Sequence, residues 1–597
     1  MPECWEVILR SKNICSSVYE NAHSRIRKYA ALRLRLAQYS RQISSALRHV
    51  ILYFELEVWK MSKKPNIIIF NPDEMRADTL GHLGNPAAVT PNLDKFACEE
   101  AVSFSNAFCQ NPVCVPSRCS FFTGLYPHVN GHRTMSYLLH DGEDSLLKEL
   151  KESGYYVWMN DRNDLLAGQV PGLMQKHADE VFYGGKCPPA PGPVASLRGE
   201  PGSKNYYSHF EGRLGVDESG RNYSRDDEAV DAAIERLRHP VDERPICIFL
   251  GLMFPHVPYG VEEPYYSAVS REHLLPRVKA DECEGKAKIL SDIRMYQNMG
   301  EYSENDWDEL RATYLGMCMK VDEQFGRLVG ALKELGIYND SAVFFLSDHG
   351  DFAGDYNLVE KAQNSFEDCL TRVPFLIKPP SGVPVDPGVS SALTELVDFY
   401  ATAMDLAGVT PSHTHFGKSL RFILKDREHH HRDYVFCEGG RMPEELHCDE
   451  YHEPGPQGIS PRIAYWPKCK AQEDCEAHAK GVMIRDGRYK YVSRTLGGDE
   501  FYDLQEDPHE KRNQIGNEKY FPEIYKMKDA MLKWLEGTAD IVPYELDSRF
   551  TPEAVYEKAK ACASPKDYGN IRKMIDEGKA FIEIMQFARE SGARHKK

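Results

Sequence analysis

The sequence predicts an α/β protein: a large mixed, mostly parallel sheet sandwiched by helices, followed by a smaller C-terminal α+β domain. Three observations predict it. Short apolar, β-branched runs alternate with segments of helical period over the first two thirds of the chain, the pattern of repeated βα units. Those runs are continuously apolar and do not alternate, so both sheet faces are covered, as in parallel sheets. From about residue 430 the texture changes to Gly, Pro and polar loops followed by short strand-like pieces.

The elements follow in order. Asn66–Phe70 is bounded by Pro65 and Asn71 and reads as a buried parallel strand. Thr90-Pro91 opens a helix, with a hydroxyl at the N-cap and Pro at the first helical position. A second helix runs from Asp144/Ser145 to Glu152 and is closed by Gly154, and Tyr155–Met159 is the next strand. The nine-residue apolar run Ile246–Phe254 ends at Pro255-His256. Between Trp307 and Leu335, Leu310, Tyr314, Met317, Val321, Phe325 and Leu328 recur in steps of three and four, a long amphipathic helix stopped by Gly336. Ala342–Leu346 and Val373–Lys378 are further buried strands. Gly481–Arg485, Tyr489–Ser493 and Glu500–Leu504 predict an antiparallel sheet in a domain spanning 431–519. The tail, 520–597, carries helical pattern at Tyr525–Leu535, Pro552–Ala561 and Asn570–Glu590 and is expected to pack back on the body, the catalytic domain being 61–430. Ligands of parallel sheets sit at the carboxyl ends of the strands, so chemistry is sought just beyond Phe70, Phe254 and Leu346.

Length and charge bound the function. At 597 residues, with 27% charged and 11% aromatic residues, the chain is ordinary globular material large enough for two or more domains. A formal charge of −17 with no long basic tract argues against a grip on nucleic acid, which begins with phosphate neutralisation. No run approaches the about 18 apolar residues of a membrane span, and the first thirty residues lack the apolar stretch of a secretory signal. The expected location is cytoplasmic, with the 16 scattered cysteines as reduced thiols. Residues 1–60 differ from the rest: they carry +5, leaving −22 from Met61 onward. They read as an appended, non-catalytic extension, and their Arg-rich, acid-poor character also fits a targeting or interfacial helix.

Asp73 and Glu74 follow the first strand, and Asp348-His349 follow the strand near 345. Carboxylates from two strand ends with a His beside one suit a divalent cation, although such acids also cap helices. Between them lies Cys114-Val115-Pro116-Ser117-Arg118, continuing to Thr123-Gly124-Leu125-Tyr126-Pro127-His128. Cys114 near Arg118 admits two readings, a thiolate whose pKa is lowered by the cation or a small buried apolar residue.

The Cys-x-Pro-Ser-Arg string followed by Thr-Gly-x-Tyr-Pro closely resembles the signature of type I sulfatases, in the alkaline-phosphatase-like superfamily. The resemblance covers residues 65–515: Pro255-His256, Ser347-Asp348-His349-Gly350-Asp351, Lys361, Arg372-Val373-Pro374 and Asp486-Gly487-Arg488-Tyr489-Lys490-Tyr491 occur in family order. It implies a sulfatase acting on a sulfated sugar or an aryl or steroid sulfate, with Cys114 oxidised to formylglycine by a maturation enzyme. It further implies that Asp73, Asp348, His349 and the side chain made from Cys114 hold one divalent ion, Ca2+ before Mg2+ or Mn2+, with Glu74 as a further metal candidate where the family has a second Asp ligand. Arg118 would steady the aldehyde hydrate; His256 and Lys361 would contact sulfate and leaving oxygen, either being the proton donor. The family's Gly-Lys-x-His is here Asp161-Arg162-Asn163-Asp164, so Arg162 takes the Lys charge and Asp164 reverses that of the His. His128, Glu438, Arg441, His447 and His478 are further candidates for contact with the organic part of the substrate. A phosphonate monoester or phosphodiester hydrolase of the same superfamily is the alternative activity, and a non-catalytic sulfatase-like binding protein the alternative class.

Overall fold

The computed structural model describes residues 64–185, 189–194, 198–449, 460–542, 544 and 551–595. The expectations for 1–60 lie outside the described residues. Fourteen strands are described: β1 (Asn66–Asp73), β2 (Val102–Phe108), β3 (Tyr156–Asn160), β4 (Glu180–Phe182), β5 (Phe210–Arg213), β6 (Ile246–Pro255), β7 (Tyr259–Val261), β8 (Ser341–Leu346), β9 (Phe375–Lys378), β10 (Gly388–Glu395), β11 (Val435–Gly439), β12 (Gly481–Arg485), β13 (Tyr489–Arg494) and β14 (Glu500–Asp503).

Eight of them form the main sheet, in the order β10-β2-β9-β8-β1-β6-β3-β4. All its pairings are parallel except the two made by β9, which runs antiparallel to β2 and β8. The sheet is therefore mixed and mostly parallel, as the unbroken apolar strands predict. Ile67, Ile68, Ile69 and Phe70 of β1 are all fully buried at its centre. One face is covered by the 31-residue helix Glu304–Glu334, whose Phe325 packs edge-on against Phe70 and Phe345. Its N-terminus has a capping box in which Ser303 accepts from Asp306 N–H and Asp306 accepts from Ser303 N–H. The other face receives the helix Cys114–Thr123, where Phe122 meets Phe249 of β6.

Most predicted elements appear within two residues of their expected bounds. The helix expected from Asn570 to Glu590 is instead two, Tyr568–Asp576 and Phe581–His595, separated at Gly578, whose φ of +69° breaks the helix. The strand expected from Val373 begins at Phe375, because Pro374 has no N–H to enter a ladder.

The second sheet is antiparallel, β11-β12-β13-β14. The helix Phe521–Thr538 packs on it, Trp534 stacking on Phe436 of β11 at 4.4 Å and meeting Tyr126 edge-on. The last three helices bury Val555, Ala559, Ile571, Ile584, Met585 and Ala588 among themselves, a separate small core. Among the described residues no helix is long and apolar enough to cross a membrane, and all thirteen described cysteines are free thiols.

Candidate active site

β8, β1 and β6 lie side by side and parallel, so their carboxyl ends deliver Asp348-His349, Asp73-Glu74 and His256 to one place. Two cross-links fix the registers there: Asn71 Nδ2 donates to the Leu346 carbonyl (2.8 Å), and Met75 N–H donates to Ser347 Oγ (2.9 Å). The helix beginning at Cys114 is buried along its whole length. Positions i, i+3 and i+4 of a helix share a face, so Cys114, Ser117 and Arg118 all point at these strand ends. Ser117 Oγ donates to the Asp348 carbonyl at 2.6 Å.

Arg118, with no solvent exposure, is the hub. Its Nε donates to Asp348 Oδ2 (2.9 Å), its Nη2 to Asp73 Oδ2 (2.8 Å) and its Nη1 to the Asn163 carbonyl (3.2 Å). Arg162 Nη2 reaches the same Asp73 oxygen at 2.5 Å. Burial alone would raise the Asp73 carboxyl, but Arg162 and Arg118 hold it well below the usual carboxylate range. Gly251 of β6 admits this crowding: a Cβ there would lie 2.1 Å from the Arg162 carbonyl and 3.2 Å from Arg118 Nη1.

Asp73, Cys114, Asp348 and His349 are all buried, and their donor atoms lie within 4.8 Å of one another. The tautomer of His349 is dictated by its neighbour. Nδ1, 2.9 Å from the Gly350 carbonyl, must carry the proton, and burial keeps the ring neutral. Nε2 therefore presents a lone pair, and it faces Cys114 Sγ at 3.2 Å, Asp73 Oδ1 at 3.5 Å and Asp348 Oδ1 at 3.8 Å. Converging lone pairs with at most one thiol proton among them fit a bound divalent cation.

A second cluster adjoins it. Lys361 Nζ lies 2.9 Å from His256 Nε2, 3.2 Å from Glu74 Oε2 and 2.9 Å from Glu360 Oε1. Burial disfavours the ammonium, but the acidic groups around it, Glu360 and Glu74 among them, hold it protonated. His256 Nδ1 donates to the Val257 carbonyl at 2.7 Å, and burial followed by the Lys361 charge pushes the ring well below its usual pKa. Nε2 is thus the acceptor and Lys361 the donor. Glu74, the fifth residue expected at the metal, is turned to this cluster: it groups with Asp73 and His256, donor atoms within 4.8 Å of one another, and its Oε1 is buried with no hydrogen-bond partner. Glu360 is held far down by Lys361 and by Lys468 Nζ at 2.7 Å, against the effect of burial.

Arg162 and Asp164 stand at the rim, each about a quarter exposed, and Asp164 lies 3.7 Å from Arg118 and 3.8 Å from Arg162. The more distant candidates have other places. His128 Nδ1 bonds Glu438 at 2.8 Å and its Nε2 the Thr538 carbonyl at 2.9 Å, which anchors the Phe521–Thr538 helix. Arg441 donates to the carbonyls of Met442, Pro443 and Gln472. His478 is buried, pushed down to about 3 chiefly by burial, and paired with Gln363 Oε1 at 2.5 Å. His447 is exposed beside Tyr137. Glu360 and Lys468 carry no sequence signal of their own; Asp351, bonded by Tyr259 OH at 2.6 Å, sits inside the Ser-Asp-His-Gly-Asp string, which is the signal that marks it.

Comparison with known proteins identifies the family. The family model described as Sulfatase matches residues 65–409, more than half of the chain. An arylsulfatase of Clostridium perfringens is 25% identical over 79% of this chain and 95% of its own length. A choline-sulfatase of Rhizobium meliloti is 26% identical over 76% of this chain and 83% of its own. The structure of a phosphonate monoester hydrolase of Agrobacterium radiobacter superposes with a TM-score of 0.63 at 20% identity, covering 80% of this chain and 96% of that one. The chain belongs to the sulfatase family, hydrolases of sulfuric esters with the alkaline-phosphatase-like fold.

Proposed function

We propose that the protein releases inorganic sulfate from a sulfate monoester of a sugar, aryl or steroid alcohol, using formylglycine made from Cys114 beside a divalent cation. The position of Cys114 carries this reading. It opens the first turn of a buried helix and touches both Asp73 and His349. Burial, and after it Asp73, push its thiol well up against the lowering effect of Lys361, while Arg118 is committed to Asp73 and Asp348. An unmodified thiol there is a poor nucleophile. Oxidised by a maturation enzyme and hydrated, that side chain would supply one hydroxyl as nucleophile toward sulfur, with the ester alcohol as leaving group, and a second whose proton loss would let the carbonyl re-form as sulfate departs.

The chain's own residues do the rest. Arg118 and Ser117 fix Asp348, and Arg118 with Arg162 fix Asp73, so the donor set is held rigid before substrate arrives. Lys361 holds the proton destined for the leaving oxygen, and neutral His256, accepting from it, orients it. Asp73, Asp348, His349 and the residue-114 side chain would hold the cation, which supplies charge to offset the anionic ester. The two carboxylates suit Ca2+; the imidazole of His349 raises the relative affinity for Mn2+.

The test compares kcat/KM for an aryl sulfate and an aryl phosphonate monoester, with peptide mass spectrometry of residue 114 from the native host. The expected result is preference for the sulfate, aldehyde mass at Cys114, and loss of several orders of magnitude in Cys114→Ala. A large preference for the phosphonate would assign the chain to phosphonate hydrolysis, and an unmodified thiol with no turnover to binding without catalysis.

A further inference from the structure

Outside the catalytic centre, the loop between the helices Pro127–Asn130 and Leu146–Glu152 brings together His132, His140 and Glu143, with donor atoms within 4.8 Å of one another. We propose that these three residues form a second metal site, for a borderline first-row dication of the Zn2+ type. It goes beyond the sulfatase reading and does not depend on it.

Geometry and hydrogen-bonding capacity support the site together. His132 is nearly buried, and its Nδ1 lies 2.9 Å from the Tyr137 carbonyl, an acceptor only, so Nδ1 carries the proton. In the neutral ring Nε2 is then a lone pair, yet it is aimed at Glu143, 3.1 Å from Oε2 and 3.2 Å from Oε1. His140 Nδ1 faces the same Oε2 at 3.5 Å. Donors bound tetrahedrally at about 2.0–2.1 Å from one ion are roughly 3.3 Å apart, and the observed separations bracket that value.

The surroundings resemble an outer shell. Metal-bound imidazoles characteristically donate their other N–H to a carbonyl or carboxylate, as His132 does to Tyr137. Glu143 is oriented by Asn130 Nδ2 on Oε1 at 2.9 Å and by His140 N–H on Oε2 at 2.6 Å. The His140 side chain is 63% exposed, which leaves an entry path and a position for water. Two nitrogens and one carboxylate select Zn2+, Co2+ or Ni2+ over Ca2+ and Mg2+. The loop also reaches the catalytic site's backing: Leu139 N–H donates to the Leu165 carbonyl at 3.0 Å, next to Asp164.

The competing explanation is an imidazolium–carboxylate bond between His132 and Glu143 with no ion. Co2+ titration of the full chain in the Cys114→Ala background, after chelation, separates the two by visible absorption. The expected result is a cobalt spectrum of nitrogen and oxygen ligation that Ca2+ in excess does not displace. His140→Ala and Glu143→Gln should each weaken that equivalent by more than the about 10–100-fold that loss of an outer-shell partner brings. Circular dichroism checks that the fold persists; His140, being exposed, is the variant least able to disturb it. Identical cobalt stoichiometry and spectrum in His140→Ala and its parent, or no Ca2+-resistant equivalent in the parent, would overturn the proposal.

Discussion

Arg118 joins two carboxylates that would otherwise repel across the floor of the site, and a single planar fork meets both because its Nε and Nη2 point at different strands. A lysine offers a point charge with no such fork. Arg118→Lys should therefore lower kcat/KM by at least about 10²-fold, the scale of a misplaced catalytic group. Arg118→Met should cost about 3–5 kcal/mol in denaturant unfolding, since it strands buried Asp73 and Asp348 without their partner. Backbone strain gathers here as well: Glu74, Asp164 and Glu360 have φ of +67°, +45° and +66°, conformations costing of order 1–3 kcal/mol each and typical of functional sites. The proton pair fixes a pH expectation. His256 is depressed below its usual value and Lys361 raised above its own. The rate should stay flat through neutrality, fall on the acid side only below the ordinary His range, as protonated His256 ceases to accept from Lys361, and hold to high pH. An acid limb in kcat/KM centred near the usual His pKa would contradict the assignment of donor and acceptor. Five of these positions, Asp73, Cys114, Arg118, Asp348 and His349, were legible because they sit in short strings at strand ends or in one helical turn. Lys468 was not, since it meets Glu360 across 108 residues of chain and no local pattern marks such a partner.

Elements deliver the site through close approaches that few side chains permit. Gly251 of β6 is bracketed by Asn160 of β3, whose Nδ2 donates to its carbonyl and whose Oδ1 accepts its N–H. Gly251→Ala would place a methyl against the Arg162 carbonyl, pushing Arg162 off Asp73. A fall of about 10²-fold in kcat/KM is expected, together with an overpacking loss of about 1–3 kcal/mol in stability; unchanged kinetics would show that Arg162 does not act in turnover. The Phe521–Thr538 helix is held by packing in place of local sequence. Its Trp534 ring lies parallel to Phe436, within 4°, and caps His128 edge-on. Trp534→Ala should cost about 2–3 kcal/mol in chemical unfolding, less than the about 3–5 kcal/mol of a fully enclosed aromatic, since Trp534 is only half-buried. Continuous apolar runs and helical periods made the strands and the long helix readable, because burial on both faces leaves that mark in sequence. The roles of His128 and Glu438 were not readable: a His and an acid 310 residues apart reveal a helix anchor only once the helix is in place.

At the scale of the molecule, the chain carries a formal charge of −17, and at the sheet's carboxyl edge Arg118, Arg162, Lys361 and Lys468 are brought together against Asp73, Asp348, Glu74 and Glu360. The parallel order β8-β1-β6 makes that concentration possible, and it was foreseeable from strand type alone; which strands would be neighbours was not, since β1 pairs with strands some 180 and 275 residues away. The same convergence couples cation binding to stability. Asp73, Asp348 and the His349 lone pair come together only in the folded chain, so an ion bound there stabilises folded over unfolded protein, by about 2.7 kcal/mol when its free concentration is a hundred times Kd. Protein treated with a chelator should melt below protein resupplied with Ca2+ or Mn2+. Asp348→Asn should lose that increment, whereas His140→Ala, outside this donor set, should keep it. Thermal scans at a fixed rate with matched ionic strength check the comparison, because a chain of several cores need not unfold in one reversible step. Equal melting with chelator and with either cation would show that Asp73, Asp348, His349 and residue 114 do not hold an ion, and would leave Arg118 and Arg162 to balance Asp73 and Asp348.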